Sequence, residues 1–248
     1  MSGSAPPPPA SLVVFFIAIA VLVGCYGFVL PYYLLKRVYG RVDIKLMLVS
    51  AGVFIIVVLI QLILQLAPYH VLKASTAVVV YWAVVASLCQ ELAKYIAIRG
   101  LAHDVADSAS IGLGFGMMEC AIASGLITMG VIALVAFAVP LHVKASSLAL
   151  ALMLALPIDA FLTTLFQVAT AVIIYNWASR NAPLIGLGIA IALHFIVDVF
   201  SISASFTGNV GLVVASWIAK ALTATVVLGR ATPTKPARLL ATGEVVYV

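Results

Sequence analysis

Seven apolar stretches of about 20 residues or more follow one another along this chain, separated by short polar connections. A helix of about 20 apolar residues crosses the hydrocarbon core of a bilayer and satisfies its own backbone hydrogen bonds there. The sequence therefore predicts an all-α fold, a polytopic membrane protein built as a seven-transmembrane-helix bundle. The predicted crossings are 11–35, 46–67, 75–98, 109–138, 147–178, 184–206 and 210–229.

The composition excludes an ordinary water-soluble domain. Hydrophobic residues make up 65% of the chain and charged residues only 8%, whereas soluble domains carry about 25% charged residues. The net charge of +5 rests on a few basic residues between apolar segments, so it reports orientation in the lipid bilayer and not a nucleic-acid-binding face. We expect a multi-pass protein of the cell membrane with no nucleic acid among its partners.

Three regions are predicted along the chain. Residues 1–10, which contain the run SGSAPPPP, form a Pro-rich leader that is expected to be disordered. Residues 11–230 form a single membrane domain and residues 231–248 a cytoplasmic tail. Pro157 is expected to kink the fifth crossing or to separate a short half-turn from it.

The basic residues outside the spans predict the orientation. Two of them, Lys73 and Lys144, fall on one side of the predicted bundle. Because cytoplasmic loops carry an excess of Lys and Arg, the N-terminus is predicted to lie outside and the C-terminus in the cytoplasm. The residues assigned to the cytoplasmic side are Lys36, Arg37, Arg41, Lys45, Arg99, Arg180, Arg230, Lys235 and Arg238.

Four ionisable side chains lie inside the apolar segments, where their cost requires an explanation: Glu91, Glu119, His194 and Asp198. A charge at the centre of a membrane helix costs roughly 2.5 to 3.5 kcal/mol or more. Counting from the cytoplasmic ends at about 1.5 Å per residue puts them at similar depths, about 12 to 22 Å. We interpret the set as the lining of one water-filled functional cavity.

Spacing adds two same-face pairs within single helices. Glu91 and Lys94 are three residues apart, and His194 and Asp198 are four apart. A paired lysine favours ionised Glu91 and desolvation favours its protonated form, so the sequence leaves both states open. Lys220 also lies within a span, without an evident partner.

Other polar residues in the spans have a simpler interpretation. Single intramembrane amides and acids are often hydrogen-bond partners between helices. The small residues Gly112 and Gly116 would let a neighbouring helix approach closely. The simpler interpretation applies to Asp159, Gln61, Gln65, Gln90 and Gln167, and the three cysteines, Cys25, Cys89 and Cys120, are expected to be small buried thiols, with a ligand role open for Cys89 and Cys120.

The polar motifs resemble those of a known superfamily, the PrsW, YhfC and CAAX-type intramembrane proteases together with the Aph subunit of gamma-secretase. The resemblance covers about residues 80–205 and looks closest to the YhfC branch. Gln90 replaces the first Glu of the family's Glu-Glu-x-x-Lys, and Gln167 stands where YhfC-like proteins tend to carry a His after an acid, here Asp159. The matching elements are Glu91-x-x-Lys94, Phe115-x-x-x-Glu119 and His194-x-x-x-Asp198.

The resemblance implies an intramembrane endopeptidase, metallo- or glutamate-type, acting on a transmembrane protein or peptide. Under this hypothesis Glu91 is the base, and without a metal Glu91 and His194 share the activation of the water. Glu119, His194 and Asp198 hold the attacking water, either directly or as ligands of a metal such as zinc, which would lower the pKa of the bound water to about 7.

Two other function classes stay open. The Aph subunit, similar in its Gln-Glu pair and its seven spans, implies a non-catalytic scaffold for a partner membrane protease. A proton-coupled transporter could use Glu91, Glu119, Asp198 and Lys220 as a relay, although the sequence has no inverted repeat of the kind found in many transporters.

Overall fold

The computed structural model describes residues 10–66, 76–136, 147–230, 237–239 and 245–247, and side chains within 17–66, 76–122 and 155–230. The predicted leader, apart from Ala10, lies outside the described residues, as do Lys73, Lys144 and most of the tail. The described part of the chain consists of helices, the turns that join them and one short pair of strands.

Helices account for nearly all of this part. The first helix runs over Ala10–Gly24, one π-helical turn at Cys25–Val29, and Leu30–Tyr39. The second to seventh helices are Ile44–Leu66, Thr76–Leu101, Val105–Ala136, Ser147–Ala178, Pro183–Thr207 and Val210–Gly229. Two three-residue strands in the tail, Ala237–Leu239 and Val245–Tyr247, pair antiparallel.

The predicted all-α, seven-helix fold class is confirmed. Among the described residues, seven helices are long and apolar enough to cross a membrane. The fifth helix runs without a break through Pro157, so no separate half-turn precedes it. The orientation of the termini stays a prediction.

Local signals explain where the sixth and seventh helices meet. Gly208, in the left-handed region at φ 65°, ends the sixth helix, and its N–H donates to the carbonyl of Ala204. Left-handed backbone favours glycine because it lacks a Cβ. Asn209 then caps the seventh helix by accepting from the N–H of Gly211. The turn is therefore short, and the two helices pack side by side.

The fourth and fifth helices form the centre of the bundle. In the apolar windows of their crossing segments, Val105–Ile122 and Ala155–Ala178, 61% and 67% of the residues are buried. In the window of Val210–Gly229 only 17% of the residues are buried. The outer helices turn side chains such as Ile63 and Leu222 toward the surroundings. A site built on the two central helices is therefore held by the most constrained part of the protein.

Gly112 and Gly116 bring these two central helices into close contact, as predicted. A Cβ on Gly112 would lie 2.6 Å from the Cα of Val168, and one on Gly116 would lie 2.6 Å from the Cα of Thr164. Backbone atoms cannot move aside as a flexible side chain can. Both positions therefore require glycine.

We expect Gly112→Val to destabilise the fold by about 1–3 kcal/mol because the added carbons overpack the helix contact. Gly52→Val is the matched control, since a Cβ on Gly52 meets nothing within 4 Å. Unfolding midpoints in detergent would measure the difference. Equal midpoints for the two variants would contradict the close approach.

A polar clamp joins two of the short connections at one end of the bundle. The guanidinium of Arg41 donates at 2.7 Å to carboxylates of both Asp104 and Asp107. The hydroxyl of Tyr175 donates at 3.0 Å to the carbonyl of His103 in the same region. The loops before the second and fourth helices therefore lie together, as alternating crossings require.

The contribution of this clamp to the stability of the fold is expected to depend on pH. Partial burial raises the pKa of Asp104, but the hydrogen bond from Arg41, backbone N–H donors and the nearby positive charge outweigh it and hold the pKa below the usual 3.8. Because the pKa is lowered in the folded state, the stabilisation is present above pH 3.8 and is lost as the pH falls through the lowered value.

We expect Arg41→Gln to lower the unfolding temperature at pH 7. The pair with Asp104 should contribute no more than about 1 kcal/mol, because both side chains are half exposed and solvent screens the pair. Asp107, which is 5% exposed, loses the same partner and is screened less. The difference from the wild type should shrink below about pH 3.8. A difference in unfolding temperature that stays constant from pH 7 to pH 3 would contradict the stabilisation by ionised Asp104.

Candidate functional site

The third helix supplies a buried ion pair. Nζ of Lys94 lies 2.8 Å from Oε1 of Glu91, and both side chains are 0% exposed. Spacing by three residues places them on one face of the helix, as predicted. Such a pair persists in a low-dielectric interior only where further hydrogen bonds satisfy it.

The fifth helix supplies those hydrogen bonds. Nζ of Lys94 donates to Oε1 of Gln167 at 2.5 Å and to Oγ1 of Thr170 at 2.6 Å. Together with Glu91, these acceptors satisfy all three N–H groups of the ammonium. The aromatic ring of Phe115 lies 5.6 Å from Nζ and covers another side of the cation.

Gln167 is the hub that joins this pair to other helices. Its side-chain amide nitrogen donates to Oε2 of Glu119 at 2.7 Å and to Oε1 of Gln90 at 3.1 Å. Gln90 in turn donates to Gln61 at 3.2 Å. One continuous network therefore connects the second, third, fourth and fifth helices.

His194 on the sixth helix completes the contact between three helices. Its Nδ1 lies 2.6 Å from Oε1 of Glu91, and its Nε2 lies 3.6 Å from Oδ2 of Asp198. Phe166 packs edge-on against the ring at 5.5 Å between centroids, and the side chain is only 2% exposed. Because an ionised carboxylate only accepts, Glu91 holds the tautomer whose proton is on Nδ1.

A cavity of about 180 Å³ lies in front of His194 and is bounded by the first, fourth, fifth, sixth and seventh helices. Glu91 and Lys94 do not line it, since they lie behind the imidazole. The predicted group is thus divided into a buried rear part and a front part that borders the cavity. The polar lining consists of Glu119, Cys120, Asp159, Thr163, Gln167, His194, Asp198, Ser201 and Lys220.

A second ion pair borders the same cavity. Nζ of Lys220 lies 2.7 Å from Oδ1 of Asp159 and 2.8 Å from Oγ1 of Thr163. The indole N–H of Trp217 donates to the same carboxylate oxygen at 2.8 Å. Asp159, interpreted from sequence as a structural hydrogen-bond partner, has that role and also lines the cavity.

Two buried carboxylate oxygens are left over in this arrangement. Within the described part of the chain, Oε2 of Glu91 and Oδ2 of Asp198 have no hydrogen-bond partner. Buried polar atoms without a partner are uncommon and cost about 1–3 kcal/mol. Asp198 borders the cavity, where a water can reach its carboxylate, whereas Glu91 does not line the cavity.

The sequence did not identify several contributors. Lys220 appeared to lack a partner because Asp159 is 61 residues away along the chain, and nothing in the sequence links two such helices. Thr170 and Thr163, common residues in a membrane helix, gave no signal of their own. Gln167, by contrast, was interpreted from sequence as a hydrogen-bond partner between helices, and its amide donates and accepts in the same network.

The side chains around His194 meet only some of the requirements of a zinc site. His194 Nε2 and Asp198 Oδ2 at 3.6 Å have a separation that two ligands of one ion could share after a small adjustment. Catalytic zinc needs three protein ligands, and the described residues contain no group of three His, Cys, Asp or Glu side chains that could hold a metal ion. The zinc prediction with Glu119, His194 and Asp198 stays a prediction.

The cysteines differ in their surroundings. Cys25 is exposed, Cys89 is half-buried and Cys120 is buried. The thiol of Cys120 donates to the carbonyl of Ala160 at 3.3 Å. The expectation of a buried thiol is met at Cys120 and not at Cys25.

Comparisons of this chain with protein-family models, with curated proteins and with solved structures found no match.

Proposed function

We propose that this chain is an intramembrane peptidase of the cell membrane that hydrolyses peptide bonds of membrane-embedded substrates with activated water. The observation that carries the proposal is the imidazole of His194, oriented from behind by Glu91 and bordering a polar cavity in front. The resemblance of the polar motifs to those of YhfC- and PrsW-like proteases supports the same assignment.

The geometry favours His194, and not Glu91, as the group that touches water. With its proton on Nδ1, the imidazole has a lone pair on Nε2 beside the cavity. A water between Nε2 and Oδ2 of Asp198 can donate one hydrogen to each. His194 then takes the proton as the water oxygen attacks the scissile carbonyl carbon, and Glu91 stabilises the imidazolium that forms.

The remaining steps use groups on the cavity wall. Two of the three N–H groups of Lys220 are used by Asp159 and Thr163, which leaves one to stabilise the oxyanion of the tetrahedral intermediate. The protonated His194 then gives its proton to the leaving amine nitrogen as the C–N bond breaks. Asp198 and Glu119 position the water and the substrate.

Reconstitution tests the proposal. The purified protein in liposomes would be incubated with membrane proteins of its host, and new N-termini would be labelled and sequenced. We expect new termini within transmembrane segments and none with an unrelated polytopic protein purified in parallel. Elemental analysis of the same sample would establish whether zinc is present.

The scaffold hypothesis has one observation in its favour. The amides of Gln61, Gln90 and Gln167 form a hydrogen-bonded series across three helices, which is the arrangement expected of polar residues that hold a bundle together. Co-purification with a membrane protease, together with no new termini from the protein alone, would support it.

A further inference from the structure

A short groove lies at Leu156 and Asp159 of the fifth helix, between two helices whose backbones do not approach each other closely. The first and seventh helices both pack on the fifth, yet among the described residues no Cα atom of one lies within 8 Å of a Cα atom of the other. Between them the fifth helix is only partly buried at Leu156 and Asp159, whereas Ala160 and Thr163 farther along the helix are buried.

The floor of this groove leads into the cavity of His194. Leu156, Asp159, Ala160 and Thr163 follow the spacing of one helix face, and all four line the cavity. Val23 of the first helix and Lys220 of the seventh line its two flanks. The gap between the helices and the cavity are thus continuous through the same residues.

Asp159 is the accessible carboxylate of this groove, where it also lines the cavity. Its side chain is 40% exposed, whereas that of its partner Lys220 is 7% exposed. A carboxylate so open within a crossing helix is costly against lipid tails. It is compatible with the membrane where the occupant of the groove offers hydrogen-bond donors, as a polypeptide backbone does.

We propose that this groove is a lateral portal through which an apolar polypeptide segment passes from the bilayer to His194. Its use by a substrate rests on the proposed function, whereas its opening to the bilayer does not. The apolar flanks at Val23 and Leu156 fit the side chains of such a segment, and Asp159 and Thr163 on the floor offer acceptors to its backbone N–H groups. A lipid acyl chain carries no donor for them.

Cys120 provides a native reporter because it lines the cavity and is only 8% exposed. In a Cys25→Ala, Cys89→Ala background it is the single thiol. Pyrene maleimide dissolved in the vesicle bilayer should label it at least about tenfold faster than a charged maleimide in water, since access controls thiol reaction. Equal rates, or faster labelling from water, would overturn the portal.

Substitutions of Val23, which lines one flank of the groove, test whether the label reaches Cys120 by this route. Val23→Trp should slow labelling from the bilayer by about tenfold and Val23→Ala should accelerate it, because the side chain narrows the route. Val21→Trp is the matched control, since Val21 is 58% exposed on the same helix, and it should change nothing. If neither Val23 variant departs from Val21→Trp, the route does not run between these helices.

The occupant is tested by competition in the same vesicles. A transmembrane peptide of leucine and alanine added to the bilayer should slow labelling of Cys120 several-fold, whereas an equal mass of extra lipid should not. Labelling that the peptide leaves unchanged would overturn the polypeptide occupant. None of these measurements requires catalysis, so a failed portal and a failed peptidase assay give separate results.

Discussion

Replacing Lys94 with methionine is expected to destabilise the folded protein by about 3–5 kcal/mol, because a buried ion pair that loses one partner leaves the other charge uncompensated. Glu91 would keep His194 as its hydrogen-bond partner but lose the ammonium 2.8 Å away. Gln167 and Thr170 would lose their shared donor as well. Methionine has nearly the length of lysine, so lost packing contributes little.

The unfolding midpoint in a denaturing detergent would measure this loss. Lys45→Met removes an exposed lysine and should stay within about 0.5 kcal/mol of the wild type, as surface substitutions usually do. Combining Lys94→Met with Glu91→Gln should recover part of the stability, because no charge is then left unpaired. If Lys94→Met matched Lys45→Met, Glu91 would be neutral in the folded state and the ionic description would be wrong.

The sequence predicted the fold class and the same-face pairs because both depend on local periodicity. Seven long apolar runs have few other solutions in a membrane. Spacings of three and four residues place Glu91 beside Lys94 and His194 beside Asp198 on any helix. Close packing at Gly112 and Gly116 follows from the absence of side chains, whichever helix is the neighbour.

What could not be predicted depends on which helices pack against each other and how each is rotated. Glu91 faces His194, 103 residues away, and so lies behind the cavity instead of lining it. The sequence therefore assigned the base to Glu91, whereas the geometry favours His194. Asp159 and Lys220 likewise pair only because the fifth and seventh helices are neighbours, which no spacing along the chain records.

His194→Gln should reduce peptide cleavage by about 10²–10⁴-fold, the range that a positioned general base and acid contributes. Glutamine retains a hydrogen-bonding amide near Glu91 but cannot take a proton from water and return it to the leaving amine. Glu91→Gln should give a loss of similar order, because an amide no longer fixes the proton on Nδ1 or stabilises the imidazolium. The double variant should lose little more than either single one, since the two residues act as a unit.

Rates of appearance of the cleaved termini would be measured for each variant alongside its unfolding midpoint, so that loss of fold and loss of chemistry are separated. His103→Gln is the matched control, because His103 is exposed in the connection before the fourth helix and should cleave at the wild-type rate. Full activity in His194→Gln would exclude the imidazole as the base. Losses that multiply in the double variant would mean that Glu91 acts on its own, as a base with independent access to water, and not through the imidazole in front of it.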